Sequence, residues 1–178
     1  MKNVGALCPQ KFLCWRQDVQ LTNGKMIATC WSSIVLLATL SGATYPNLVA
    51  AQWALESGWG QHTSGRNNYF GMKGAGSNIT TQEYINGRYI SVYSSFKNYN
   101  SAEDSVKDLV NKWHKNYKGY RGVNNARSRE EAARMLAAQG YATSPTYAES
   151  LIGLMNRNSV PVPSNLNDDK TRQSYRCG

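Results

Sequence analysis

Carboxylates are scarce in this sequence. Its 178 residues hold eleven Asp and Glu against twenty Lys and Arg. From Val19 to Ala102 there are two acids, Glu56 and Glu83, so acid–base chemistry in that half has few places to sit. Histidine is rarer still: His62 and His114 are far apart, on unrelated segments. The four cysteines, Cys8, Cys14, Cys30 and Cys177, include no C-x-x-C pair, which argues against a structural zinc site; no metal is expected. They read as thiols, with a disulfide tying the termini as the alternative, and they do not set the redox compartment. Also missing are a Gly-x-Ser-x-Gly elbow, a P-loop and a dinucleotide fingerprint, so no cofactor is expected. No zinc-finger spacing, RNP motif or recognition-helix pattern is present, which argues against nucleic acid as the partner. A signal-peptide core is lacking too, because Lys11, Arg16 and Asp18 interrupt residues 1–20.

Long apolar runs are the last absence. Met26 to Leu55 carries no charge, yet its strongest apolar stretch, Ile34–Leu40, is far short of the ~20 residues a bilayer needs. Gly42 and Pro46 then break it, so buried helices explain it better than stable membrane insertion. What is present is 41% hydrophobic and 17% charged, which excludes a disordered chain and a coiled coil, and the length suits one domain. The net charge of +9 draws the protein toward something anionic: nucleic acid, an acidic membrane or a bacterial wall.

The elements follow from periodicity and punctuation. Residues 1–24 read as an irregular arm. A helix is expected from about Lys25 to Leu40, ended by Ser41-Gly42. Pro46 opens a second, with Leu48, Ala51, Gln52 and Leu55 as its stripe and Gly58 as a left-handed cap. Ile79 to Phe96 reads as a hairpin around Asn86-Gly87, which pairs Tyr84 with Tyr89 and Glu83 with Ile90. Glu83 then shares a face with Thr81, Ile90 and Val92, unusual company for a solvating carboxylate. Ser101 with Asp104 and Ser128 with Glu131 are capping boxes; the first opens a helix carrying Val106, Leu109, Val110, Trp113 and Tyr117. Lys107, Lys112 and Lys115 on that helix read as a solvated face. Ser144 is the expected cap of a last helix, with Pro145 at its first position and Tyr147, Leu151, Leu154 and Met155 along it. The Pro-, Asn- and Asp-rich residues 159–178 read as a mobile tail. The expectation is an α+β domain: a mostly helical lobe, a small β-hairpin lobe and a cleft between them.

Glu56 is the strongest chemical candidate. It sits in the last turn of a hydrophobic helix, where the negative end of the helix dipole and nearby Trp53, Trp59 and Tyr69-Phe70 disfavour its charged form. A carboxylic acid still protonated near neutral pH is what a glycosidase needs to protonate a leaving oxygen. With Glu83 on the hairpin, one carboxyl would stand in each lobe, the layout of acid and base across a sugar. Trp59, Tyr69, Phe70, Tyr141 and Tyr147 are candidate flat surfaces for sugar rings, or else core.

The segment Ala51-Gln52-Trp53-Ala54-Leu55-Glu56-Ser57-Gly58-Trp59-Gly60 resembles the signature helix of bacterial and phage glucosaminidases, glycoside hydrolase family 73. Asn68-Tyr69-Phe70-Gly71-Met72-Lys73-Gly74, Thr81-Gln82-Glu83, Phe96–Ser101 and Gly140–Ala148 continue the resemblance in the family's order, over about residues 28–158. It implies a lysozyme-like fold and hydrolysis of peptidoglycan glycan strands, usually between N-acetylglucosamine and N-acetylmuramic acid. By position Glu56 matches the family's acid, Glu83 its hairpin Glu and Tyr141 a tyrosine of the catalytic cleft; Trp59, Asn68, Tyr69, Phe70 and Tyr147 become substrate-binding candidates. Ser144 for the usual Asp, Tyr69 for Leu and Lys97 for Arg are departures. The division expected is an arm (1–27), a catalytic domain (28–158) and a tail (159–178). No wall-binding repeat accompanies it, which fits a wall-piercing phage enzyme whose arm contacts other virion proteins, or a bacterial autolysin. The rivals are a muramidase or lytic transglycosylase, and a non-catalytic wall-binding or virion protein.

Overall fold

The computed structural model describes residues 23–142 and 144–162, without the side chains of residues 23–29 and 83–85. Most of the expected arm, nearly all of the expected tail, and Cys8, Cys14 and Cys177 lie outside the described residues. Helix α1 spans Asn23–Leu40, so the boundary expected between residues 27 and 28 falls inside it. Among the described residues no helix is long and apolar enough to cross a membrane.

Helix α2, Pro46–Ser57, runs through the core. Pro46 opens it, where a missing N–H costs nothing. The expected stripe is corrected here. Leu48 through Ala54 are all buried, whereas Leu55 is 40% exposed. The helix is wrapped by α1, α4 and α5 rather than lying on a surface, and its alanines let them approach closely. Trp31, Trp53 and Trp113 are the largest fully buried side chains. Asn47 clamps the two ends of this lobe: its Oδ1 accepts from Trp31 Nε1 (3.0 Å) and from the Val160 amide (3.1 Å), while its Nδ2 donates to the Val160 carbonyl (3.1 Å).

Strands β1 (Gly76–Ile85) and β2 (Arg88–Lys97) form a two-stranded antiparallel sheet. Asn86 and Gly87 both have positive φ, as a type I′ turn requires, and the pairing of Tyr84 with Tyr89 and Glu83 with Ile90 is as expected. The strands run further than expected toward the root, where Phe96 is buried. Toward the tip Tyr89, Ile90 and Tyr93 are exposed, so the apolar shelter expected around Glu83 is not supplied by its cross-strand partner. The Glu83 side chain itself lies outside the described residues.

Helix α3, Ala102–His114, opens with the complete Ser101–Asp104 capping box. It stops before Tyr117, which is exposed rather than part of the stripe. Lys107 pairs with Glu103 at 2.5 Å, whereas Lys112 is half-buried and lies 4.2 Å from the Tyr117 ring centre, so the three lysines do not share one solvated face. A 3-10 turn, Val123–Asn125, leads to α4, Arg129–Ala138, whose Ser128 cap accepts from the Glu131 amide at 3.1 Å. Helix α5 is Tyr147–Asn158, starting after the expected Pro145. Ser144 does not cap it. Its carbonyl accepts from the Tyr147 amide in a preceding turn, and its hydroxyl meets Thr146 Oγ1 at 3.2 Å.

Candidate active site

Glu56 stands at the end of α2, and the chain reverses immediately behind it. Gly58, Trp59 and Gly60 take φ of 55°, 62° and 83°, three left-handed residues in succession. Glycine bears this at no steric cost; Trp59 does not. Its ring is held nevertheless, tilted against Trp31 at 5.9 Å and edge-on to Trp53 at 6.0 Å. An added Cβ on Gly60 would stand 2.9 Å from Trp53 Cζ2, so this turn also needs glycine for space. Ser57 completes the knot, donating to the Trp53 carbonyl and accepting from the Gly60 amide at 2.8 Å.

One oxygen of Glu56 faces inward. Tyr147 Oη donates to Glu56 Oε1 at 2.9 Å, and Gln52 Nε2 donates to Tyr147 Oη at 3.4 Å. The other, Oε2, borders Gly71: a Cβ there would lie 4.0 Å away. Glu56 is open to the cleft, yet protein crowds its carboxyl on every other side. This desolvation pushes its pKa from the ordinary 4.5 up to about 7, against the opposing hydrogen bond from Tyr147. Burial also raises Tyr147 and Tyr141 well above the usual phenol value, with the field of Glu56 adding to it, so both remain neutral hydroxyls.

The cleft measures about 610 Å³. Glu56, Phe70, Gly71 and Met72 line it from the helical side, Thr81, Gln82 and Phe96 from the hairpin, and Tyr120, Tyr141 and Ala142 from the far wall. Lys73, Lys112 and Lys118 also border it, and among the described side chains Glu56 is its one acid. Asp108 sits behind Lys112: burial raises its pKa, but hydrogen bonds from Tyr99 (2.6 Å) and Lys97 (2.9 Å) outweigh that and hold it below the ordinary value.

Residues 37–160 match the glucosaminidase family model, described as mannosyl-glycoprotein endo-beta-N-acetylglucosaminidase. The chain belongs to the glucosaminidase family. Among curated members of the family, peptidoglycan hydrolase FlgJ of Escherichia coli K12 is 36% identical over 133 residues, covering 68% of this chain and 42% of the relative. The exo-glucosaminidase LytG of Bacillus subtilis is 33% identical over 124 residues, 63% of this chain and 43% of LytG. The chain thus spans less than half the length of these relatives. Among solved glucosaminidase-like structures, the truncated glycoside hydrolase domain of Salmonella typhimurium FlgJ superposes with a TM-score of 0.56 at 33% identity, covering 74% of this chain and 96% of that one.

Within this glucosaminidase fold the residues singled out from sequence separate into two groups. Glu56, Phe70 and Tyr141 meet at the cleft. Tyr147 is buried beneath it and touches Glu56. Tyr141 does not hydrogen-bond Glu56; its hydroxyl donates to the Phe70 carbonyl at 2.9 Å, and its ring stacks on Tyr147 at 5.5 Å. Asn68 is buried, and its amide is spent on backbone: Nδ2 donates to the Met72 and Lys97 carbonyls, both at 2.9 Å, and Oδ1 accepts from the Met72 amide at 3.0 Å. It shapes the wall that carries Phe70 and Gly71. Trp59 is packed into the tryptophan cluster, and Tyr69 is half-buried against the core. Sequence reasoning missed the site role of Lys112 and treated Gln52 as stripe. The available signal was a glutamine one helical turn before Glu56 on an otherwise apolar helix.

Proposed function

We propose that this protein is a peptidoglycan hydrolase cleaving the glycan strand as an endo-beta-N-acetylglucosaminidase, with residues 28–158 as the catalytic unit. The observation that carries the reading is Glu56: a carboxyl with a pKa near 7, one oxygen held from behind and the other toward a cleft large enough for sugar rings. Protonated, it gives its proton to the glycosidic oxygen as the bond to the anomeric carbon breaks. Glu83 is the proposed base. Its support is register: it stands two positions from Thr81, which lines the cleft. A water activated by Glu83 gives inversion; assistance by the substrate's N-acetyl group gives retention. Tyr141 supplies cleft surface for a sugar, Phe70 backs the wall from the core, and the lysines attract an anionic strand.

The action belongs at the bacterial wall. A virion-borne setting with residues 1–27 as the contact is the finer form of the reading, and nearly all of that arm lies outside the described residues. A second cleavage specificity has its own support, since a probable N-acetylmuramidase of Lactococcus lactis is 32% identical over 120 residues. The test is mass spectrometry of borohydride-reduced digests of purified peptidoglycan, beside Glu56→Gln. Reduced N-acetylglucosamine ends that vanish in the variant are expected. Reduced muramic acid ends would mean a muramidase, anhydro ends a transglycosylase, and no soluble fragments a binding or structural protein.

A further inference from the structure

Gln52 is completely buried one helical turn before Glu56, and among the described residues its Oε1 has no hydrogen-bond partner. An unpaired acceptor in a core is costly, and an apolar side chain of the same shape would avoid the cost. The other end of the amide explains why a polar group sits there. A tyrosine hydroxyl owns one proton. Because Tyr147 Oη accepts from Gln52 Nε2, that proton points to Glu56 Oε1. With the amide turned the other way, Oε1 of Gln52 would draw the Tyr147 proton to itself. A protonated Glu56 would then donate backwards, from its own Oε1 into the core.

We propose that the buried amide of Gln52 is a positioning group that, acting through Tyr147, confines the proton of Glu56 to Oε2, the oxygen bordering Gly71 and the cleft. The inference rests on Glu56 being the acid of the preceding section. Gln52 touches no substrate; it fixes the direction of a two-step hydrogen-bond chain running from α2 through α5 and back to α2. Among the described residues the groups facing Glu56 are Tyr147 from α5, Tyr141 and Tyr120 from the far wall, and Lys73, Lys112 and Lys118 around the cleft; His62 lies across the turn beside Gly58. Among the described residues none of the other groups hydrogen-bonds Oε1, so the chain through Tyr147 is the one that sets which oxygen carries the proton.

The experiment compares Gln52→Met, Tyr147→Phe and the double variant for kcat, KM and pH profile. In parallel, 13C-carboxyl NMR of glutamate-labelled protein follows Glu56, assigned by its loss in Glu56→Gln. Each single variant is expected to lower kcat about tenfold, less than loss of the acid itself, with KM unchanged. Both should move the alkaline limb of the profile and the Glu56 titration to higher pH, because a hydrogen bond favouring the ionised form is weakened or lost. The double variant should be no slower than Tyr147→Phe. Wild-type kcat and pH limb in Gln52→Met, or a further full factor when it is added to Tyr147→Phe, would overturn the proposal. Should Gln52→Met not fold, an unmoved Glu56 titration in Tyr147→Phe overturns it equally. Full activity in Glu56→Gln would sink the acid reading instead, and the NMR titrations would still decide the hydrogen-bond chain.

Discussion

Glu56→Gln should abolish activity and yet, above neutral pH, stabilise the fold. The folded protein holds the Glu56 proton to about pH 7, whereas an unfolded chain releases it near 4.5. Between those values the folded state binds more protons, so wild-type stability falls as pH rises. The contribution is fully present below pH 4.5 and gone above about 7. The gap between 4.5 and about 7, at about 1.4 kcal/mol per pH unit, has a ceiling of about 3.5 kcal/mol. Glu56 opens onto cleft water, which screens it, so about 1 kcal/mol is the working figure. Gln keeps an oxygen to accept from Tyr147 and carries no charge to desolvate. At this domain size about 1 kcal/mol is a Tm difference of roughly 2–4 °C. The assay is thermal unfolding of both proteins from pH 4 to 8. The variant's advantage should be small at pH 4, grow between 4.5 and 7 and then level off. A difference that stays constant across the range would refute the raised pKa and the desolvation argument behind it.

Glu56→Gln should lose at least ~100-fold in rate on purified peptidoglycan, and wild-type kcat/KM should fall as pH rises through about 7, where the acid form is lost; an activity flat to pH 9 would exclude Glu56 as the acid. Asn68→Ala strips partners from three backbone groups at the Met72–Lys97 junction and should cost about 3 kcal/mol, read as a Tm drop of roughly 6–12 °C. Lys112→Gln should raise KM on anionic strands and leave it unchanged on neutral N-acetylglucosamine oligomers. The wild type should also lose activity between low salt and ~0.5 M, and a salt-independent rate would contradict the electrostatic role of the cleft lysines.

Local rules carried the sequence reading furthest. Asn86-Gly87 set the hairpin register because a two-residue turn leaves one pairing, and Gly58 marked the end of α2 because few other residues take its φ of 55°. The Ser101 box is local in the same sense. What failed depends on neighbours distant in sequence. Leu55 matches the period of Leu48, but α1, α4 and α5 surround α2 and leave the side of Leu55 uncovered. Lys112 looks like solvated helix until Tyr117, just past the helix end, turns beneath it. Tyr141 and Tyr147 read alike in sequence. Which one reaches Glu56 is decided by α5 starting at Tyr147 and packing along α2. Glu56 stood out as a candidate because few carboxylates compete with it; its hydrogen bond from Tyr147 and the Gln52 amide behind that were not legible.

The indole cluster behind Glu56 has an optical consequence. Trp59 belongs to the turn that fixes Glu56, and its ring centre lies about 6 Å from those of Trp31 and Trp53. Chromophores that close exchange excitation energy, so their combined emission depends on how the turn is seated. Any change that lifts Trp59 from its two neighbours alters the spectrum without a label. The protein therefore carries an intrinsic fluorescent reporter on the turn behind Glu56, readable while the cleft is occupied.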